Sequence, residues 1–302
     1  MTPGALGKNR DLSERALGAV LLAPAALLLL VIVVYPIATL LWNSLHTADP
    51  ENAVAGETFA GFANFARAFD DERFWHSTWN TILYIVVTVP GSLVVGLGLA
   101  LLANNAFTVK WPVRLGLLLP WALPLVFAGL IFRWFFEYNT GVVNNWLVAF
   151  GLEPLQWLSS PTLAFWAICI AIVWKASSFM ALMLLAGLQT IPKSLYEAAE
   201  VDGGSKLRQF FAITVPLLVP VILFSLVTST SGTMQLFDEP NILTSGGQPS
   251  NATMTVALYI YRQAFQVNGD FGYATALSYV VVMISGVFAF IQMRMLGERG
   301  AK

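Results

Sequence analysis

The residues best placed to do chemistry in this 302-residue chain fall in one short polar stretch. Glu197-Ala198-Ala199-Glu200-Val201-Asp202-Gly203 is followed nine residues on by Ile213-Thr214-Val215-Pro216. The chemistry it offers is docking, not bond breaking. Ser194 precedes Glu197 by three residues, the spacing of a capping box: the serine hydroxyl accepts from the Glu197 amide and the carboxylate reaches back to the Ser194 amide. Glu197 and Glu200 fall in the first turns, where the helix dipole favours negative charge. Leu195, Ala198, Ala199 and Asp202 recur at i, i+3, i+4 and i+7 and share a face. The two alanines keep that face thin enough for a partner's backbone to approach. Gly203 and Gly204 end the helix, and Lys206 and Arg208 follow. A loop between apolar segments has little reason to build a capped helix unless something docks on it. A merely amphipathic helix at the membrane surface is the alternative, and spacing alone leaves both open.

A second set of polar residues interrupts long apolar runs. Trp174, Lys175, Ser177 and Ser178 cluster in one run. Thr228, Ser229, Thr230, Ser231, Thr233 and Gln235 crowd the end of another, with Asp238 and Glu239 just past it. A lysine at mid-membrane is costly and points to function or to a cavity. Small polar residues also serve as helix–helix glue, so packing competes with a substrate-pathway role. No catalytic constellation is present. Cys169 stands alone inside an apolar run, which leaves no disulfide framework. His46 and His76 have no carboxylate spacing of a metal site.

The elements that position these residues are set by composition. The chain is 57% hydrophobic and 11% charged, against about 25% charged in soluble domains. So few charges cannot cover a water-soluble protein of this size. A crossing helix needs about 20 apolar residues, and six such runs are present: Leu17–Trp42, Trp79–Ala103, Val113–Phe136, Leu163–Gln189, Phe211–Met234 and Gly272–Leu296. The first is too long for a signal-peptide core and lacks a small-residue cleavage site. With the N-terminus in the cytoplasm, cytoplasmic segments hold Lys8, Arg10, Arg15, Lys110, Arg114, Lys193, Lys206, Arg208, Arg294, Arg299 and Lys302. Outer segments hold only Arg67, Arg73, Arg133 and Arg262. That asymmetry predicts both termini inside. The expected organisation is a tail over 1–16, a six-span domain over 17–296 with a loop at about 190–210, and a tail over 297–302. The acidic outer loop from Asn43 to Thr78 carries Phe59, Phe62, Phe65 and Phe69 at helix-like spacing. A small folded element and a loop lying on the membrane are equally open readings. Pro120 and Pro124 mark a possible kink that lines a cavity, with plain helix packing as the alternative.

Glu197-Ala198-Ala199, Gly203 and Ile213-x-Val215-Pro216 stand at the spacing of the Glu-Ala-Ala loop in permease subunits of binding-protein-dependent ABC importers, and the chain resembles that family. Val215 for leucine and Gly204 for alanine are mild departures. Pro220 matches a common second proline. Trp174-Lys175, Phe179 and Leu185-Ala186-Gly187-Leu188 are similar to the span before the loop. Gly141-Val142-Val143-Asn144 and Trp157-Leu158 are similar to an outer segment. Phe237-Asp238, Leu243-Thr244, Gly246-Gly247 and Ala257-Leu258-Tyr259-Ile260-Tyr261 resemble the carbohydrate branch. The match extends over most of the chain from Leu17 onward.

The resemblance implies an all-α polytopic membrane protein with six transmembrane helices in the type I ABC importer permease architecture, placed in a bacterial or archaeal plasma membrane. It implies that Glu197, Ala198, Ala199, Asp202, Gly203, Ile213 and Pro216 couple the chain to a cytoplasmic ATPase, with Glu197 as the charged anchor. The implied partners are a second permease, an ATPase dimer, an extracytoplasmic sugar-binding protein and membrane lipid, with no nucleic acid. The chain itself needs no cofactor, since ATP and Mg belong to the ATPase. The cargo is a sugar, with a di- or oligosaccharide favoured. Sugars are held by hydrogen bonds and aromatic stacking, which makes Trp174, Lys175, Ser178, Thr228, Ser231, Gln235 and Asp238 the expected pathway residues. Ser245-Gly246-Gly247-Gln248 imitates an ATPase signature, but no Gly-x-x-x-x-Gly-Lys-Ser/Thr loop accompanies it, and a glycine-rich turn is the better reading. Asn251-Ala252-Thr253 fits a glycosylation acceptor only formally. The rival readings are an ion-driven secondary transporter, disfavoured because the spans hold no Asp or Glu at mid-depth, an intramembrane enzyme and a membrane scaffold.

Overall fold

The computed structural model describes residues 14–48, 57–104, 111–266 and 269–300. Most of the expected 1–16 tail, with Lys8 and Arg10, lies outside the described residues, as do Lys110 and Lys302. The first span is one apolar rod built from α1 (Glu14–Leu29), a π-helical turn (Leu30–Val34) and α2 (Tyr35–Ser44). The wider turn has a local cause. Pro36 has no amide hydrogen, and its ring would crowd the Ile32 carbonyl in a regular helix. The same device recurs later, where a π turn over Phe210–Thr214 precedes Pro216.

A short hairpin pairs β1 (His46–Ala48) with β2 (Glu57–Phe59), antiparallel. Then come α3 (Ala63–Asp70) and the long α4 (Glu72–Asn104). The described parts of the 43–78 loop are therefore folded, and its aromatic spacing belongs partly to β2 and partly to α3. α5 (Trp111–Ala122) and α6 (Leu125–Phe135) follow, then α7 (Val142–Ala149) and α8 (Pro161–Thr190). A loop carries α9 (Lys193–Val201) and α10 (Lys206–Gln209). The chain closes with α11 (Val215–Met234), α12 (Asp238–Leu243), α13 (Val256–Phe265) and α14 (Phe271–Gly300).

Five helical stretches are long and apolar enough to cross a membrane, and a sixth forms if the bent pair α5–α6 counts as one span. Over Val113–Phe136 the structure takes the kinked of the two open readings. The span breaks at Leu123-Pro124 and turns by 98°, because Pro124 cannot donate to the Pro120 carbonyl.

Parallel α4 and α8 form the centre. Ala100, Ala103, Leu184, Leu185, Leu188 and Leu218 pack at the end nearer α9. Tyr84, Ala167, Ile168 and Phe132 pack toward the other end, which is called the far end below. The approach is close at Gly96, where an added Cβ would lie 2.8 Å from the Met180 Cβ and 3.0 Å from the Ser177 carbonyl oxygen. Small residues at such crossings let backbones meet in lipid, where packing replaces the hydrophobic effect as the driving force. The first span contributes nothing to this core: no residue of its apolar stretch is buried.

At the far end, side chains tie α3, α4, α13 and α14 together. Asp71 Oδ2 accepts from the Tyr259 and Tyr273 hydroxyls at 2.6 and 2.5 Å. Asp71 Oδ1 caps α4 by accepting from the Arg73 and Phe74 amides. Arg67 pairs with Asp270 at 2.6 Å and lies 3.9 Å from the centre of the Tyr273 ring. Burial pushes the Asp71 carboxyl up, but the two tyrosine hydroxyls and two backbone amides outweigh it and hold the group below its ordinary value.

Candidate docking helix and translocation cavity

The loop after α8 forms the helix that its composition suggests, with a different start. Pro192 is the N-cap and no side chain caps the end, so the Ser194–Glu197 capping box is corrected. The helix begins at Lys193 because Pro192 takes extended backbone (φ −62°, ψ 132°) and its carbonyl already accepts from the Leu195 amide. Ser194 therefore sits inside the first turn, two residues past the capping position.

The C-terminal end follows the glycine rule closely. Gly203 adopts φ +75°. Its amide donates to the Glu200 carbonyl at 3.0 Å, and the Gly204 amide donates to the Ala199 carbonyl at 2.7 Å. Those two bonds are a Schellman motif, which satisfies the orphan carbonyls and stops the helix sharply. Lys206 then pairs with Glu200 across the turn.

One side of α9 rests on the body. The Tyr196 hydroxyl lies 2.9 Å from Thr214 Oγ1, and Tyr196 and Ile213 pack against the core cluster around Leu218. Ala199 and Asp202 border a small cleft with Gln209 and Ile213. Glu197, Ala198 and Val201 point the other way and are exposed, and no residue of the helix is buried. Pro216 is exposed at the start of α11. The seven expected coupling residues are thus brought together on α9 and on the turn that carries it. Glu197 makes no ion pair among the described residues, whereas Glu200 is taken by Lys206.

Deeper in the bundle, a cavity of 380 Å³ lies between the broken span, α8 and the end of α11. Four of the seven pathway candidates, Lys175, Thr228, Gln235 and Asp238, line it. The other three lie outside its lining. Trp174 packs edge-on against Phe132, with ring centres 5.3 Å apart. Ser178 is buried and donates to the Leu117 carbonyl. Ser231 lies off the lining arc: at about 100° per residue, positions 228, 229, 232 and 233 share one side of α11, and 235 and 236 follow just past its end. Ser231 falls on the other side and is exposed.

Lys175 has a structural task as well. Its Nζ donates to the Pro120 carbonyl at 3.3 Å and to the Leu123 carbonyl. These carbonyls end α5, where a cation also suits the helix dipole. Residue types alone did not reveal Trp121 and Phe179 as cavity walls. Their rings stack 6.1 Å apart. Helical spacing could have found Phe179, four residues after Lys175, but only the break in the span brings Trp121 to it. Of the adjacent carboxylates, Glu239 is the buried one, 8% exposed. The Ser245–Gln248 stretch is a turn, with Ser245, Gly246 and Gly247 all at positive φ.

Comparison with known proteins matches residues 65–299 to the model for the "binding-protein-dependent transport system inner membrane component". The chain belongs to this family. The permease is 51% identical over 286 residues to the sulfoquinovosyl glycerol transport system permease protein SmoG of Agrobacterium fabrum, covering 95% of this chain and 92% of that one. It is 39% identical to the lactose transport system permease protein LacF of Rhizobium radiobacter, covering 93% and 94%. Among solved structures, a bacterial alginate ABC transporter in complex with an alginate pentasaccharide-bound periplasmic protein aligns with TM-score 0.79 and 25% identity. That alignment covers 92% of this permease and 93% of that chain. The architecture is therefore that of an ABC importer permease, and the cavity and α9 belong to a multi-pass transport component.

Proposed function

We propose that the permease is one of two membrane subunits of a sugar importer driven by ATP hydrolysis on a separate ATPase dimer. The observation that carries this reading is α9: a short helix, rigidly ended by Gly203, clipped to the body by Tyr196, with Glu197 and Ala198 exposed and none of the described residues covering them. In this reading α9 lies at the cytoplasmic face, both termini are cytoplasmic, and ATP and Mg are held by the partner. Closure of the ATPase dimer moves α9 as a rigid body and switches the bundle between inward- and outward-facing packings. An extracytoplasmic binding protein delivers the sugar at the far end, and the exposed first span faces lipid or the second permease.

The cavity supplies the sugar chemistry. Lys175 and Gln235 donate, Glu239 and Asp238 accept, the hydroxyls of Thr228 and Ser229 do either, and the Trp121–Phe179 pair offers an apolar platform. Its volume falls within the range of about 300–1,000 Å³ common for small-ligand sites. The relatives named for sulfoquinovosyl glycerol and lactose transport support a glycoside of disaccharide size as cargo.

The experiment is reconstitution of the permease with its second permease, ATPase and binding protein in liposomes. Sugar uptake that requires ATP and survives collapse of ion gradients is the expected result. Uptake by this chain alone, driven by an ion gradient, contradicts the reading.

A further inference from the structure

At the far end of the bundle a second cavity, of 690 Å³, opens between the first turns of α4 and the later turns of α13, and it shares no lining residue with the cavity described above. α4 contributes Arg73 and His76, α13 contributes Arg262 and Gln263, Gln266 follows at its end, and the turn before α13 contributes Asn251. The ion pairs among the described residues are Arg67–Asp270 and Lys206–Glu200, so neither Arg73 nor Arg262 has a carboxylate partner. Glu72 is the one carboxylate on the wall. Asp71, close by, keeps its charge but turns its oxygens to the hydroxyls of Tyr259 and Tyr273 and to the Arg73 and Phe74 amides, so it forms no ion pair with either arginine.

Arg262 is oriented by neutral groups. Its Nε donates to Gln266 Oε1 at 3.2 Å and its Nη1 to Asn251 Oδ1 at 3.4 Å. These bonds set the plane of the guanidinium and leave its charge intact. They also commit the amide oxygens, so that Gln266 and Asn251 have their NH₂ groups left to offer as donors. Ser250 and Asn251 hold this wall in left-handed backbone, at φ 52° and 61°, a conformation that non-glycine residues adopt uncommonly and that clusters at binding sites.

We propose that this cavity is a second binding site, specific for a small anionic carbohydrate: a sugar bearing one carboxylate, sulfonate or phosphate-ester group. The guanidinium fork suits an oxyanion bidentately, and amide donors around it suit the hydroxyls. The volume fits one sugar-sized solute. A concave pocket walled by three chain segments favours a free solute over the convex surface of a protein partner.

The full-length permease in lipid nanodiscs, observed by saturation-transfer NMR with glucuronate and with glucose as probes, tests this. The expected result is a glucuronate signal at least fivefold above that of glucose, falling as salt is raised. The double variant Arg73→Gln/Arg262→Gln is expected to abolish it, and Arg73→Lys/Arg262→Lys to retain part of it. Glu72→Gln removes the opposing charge and is expected to raise the signal about twofold. Equal signals for the two sugars, an undiminished signal in the double glutamine variant, or no rise with Glu72→Gln would overturn the proposal. So would a variant that weakens capture of the purified binding protein while glucuronate never binds, since that result makes the cavity a docking contact. Failure of the import reading is separable, because it is scored by uptake and touches none of these residues.

Discussion

Pro124 has no amide hydrogen, so the Pro120 carbonyl loses the partner it would have four residues on, and Lys175 Nζ takes that place. This explains how a lysine is tolerated in an apolar span. The sequence showed a costly residue and left its purpose open between packing and pathway, because the partner lies 55 positions away on a backbone whose bend no hydropathy pattern records. Lys175→Met is expected to strand two carbonyls, at about 1–3 kcal/mol for each that water does not reach, seen as a lower melting temperature in detergent; Lys175→Gln should keep part of the loss at bay. Asn144 is the opposite case. It was legible only as one residue of a resembling segment, yet it is buried and its side-chain amide is saturated. It donates to the Tyr138 and Leu155 carbonyls and accepts from the Leu155 amide and Trp157 Nε1. Asp71 carries a prediction in pH. Its carboxyl titrates lower in the folded protein than in the unfolded chain, so the unfolded state binds the proton more readily and stability rises with pH. The stabilisation is present above the unfolded carboxylate pKa of about 3.9 and is lost as pH falls through the folded value. Melting curves of wild type and Asp71→Asn should therefore differ at neutral pH and converge at the acid end of the range. A constant difference across pH contradicts this assignment.

At the scale of elements, α9 was the most legible part of the chain, since Glu197, the two alanines and Gly203 mark both its exposed face and its end. Its start was misread because Ser194 invites a cap that Pro192 makes unnecessary. Gly203 leads to a separable prediction. Its φ of +75° disfavours any side chain, but open space surrounds the position. Gly203→Asp should therefore cost about 1–2 kcal/mol of backbone strain and leave the bundle folded. Because the stop of the docking helix is disturbed, stimulation of the partner ATPase by the loaded binding protein should fall at least tenfold. Normal stimulation would remove α9 from its role. Gly96 tests the core in the same way. Gly96→Leu places a side chain where a Cβ alone meets Met180 and the Ser177 carbonyl, and should destabilise the α4–α8 pair by about 1–3 kcal/mol or more through overpacking. The spans were legible within a few residues because apolar run length reports lipid thickness. It does not report helix length: α4 begins at Glu72, seven residues before the expected Trp79, because its polar first turns rest on the far-end cluster around Asp71 and not on lipid.

As a whole molecule, the permease joins a displayed helix to a cavity through parts that are rigid. α9 hangs by Tyr196 from the turn that begins α11, and α11 ends on the cavity wall with Thr228 and Gln235. α8 runs from Lys175 in that wall straight to the Ile191-Pro192 bend that starts α9. Two helices thus join α9 to the cavity, with the π turn before Pro216 and Pro220 inside α11 as the breaks in regular backbone along the second. The general plan, six spans and one docking loop, was readable from run lengths and one motif. The cavity was not, since half of its wall depends on a bend at Leu123-Pro124 that brings Trp121 to Phe179. The most direct test of the account is a cross-link. Ala198 is exposed, and Cys169, the chain's one cysteine, is buried, so an Ala198→Cys variant presents a single reactive thiol. In the assembled transporter, a short bifunctional reagent is predicted to join this thiol to the ATPase subunit, with a yield that changes when ATP is bound. A thiol that labels only from the opposite side of the membrane, or that never joins the ATPase, would contradict the account.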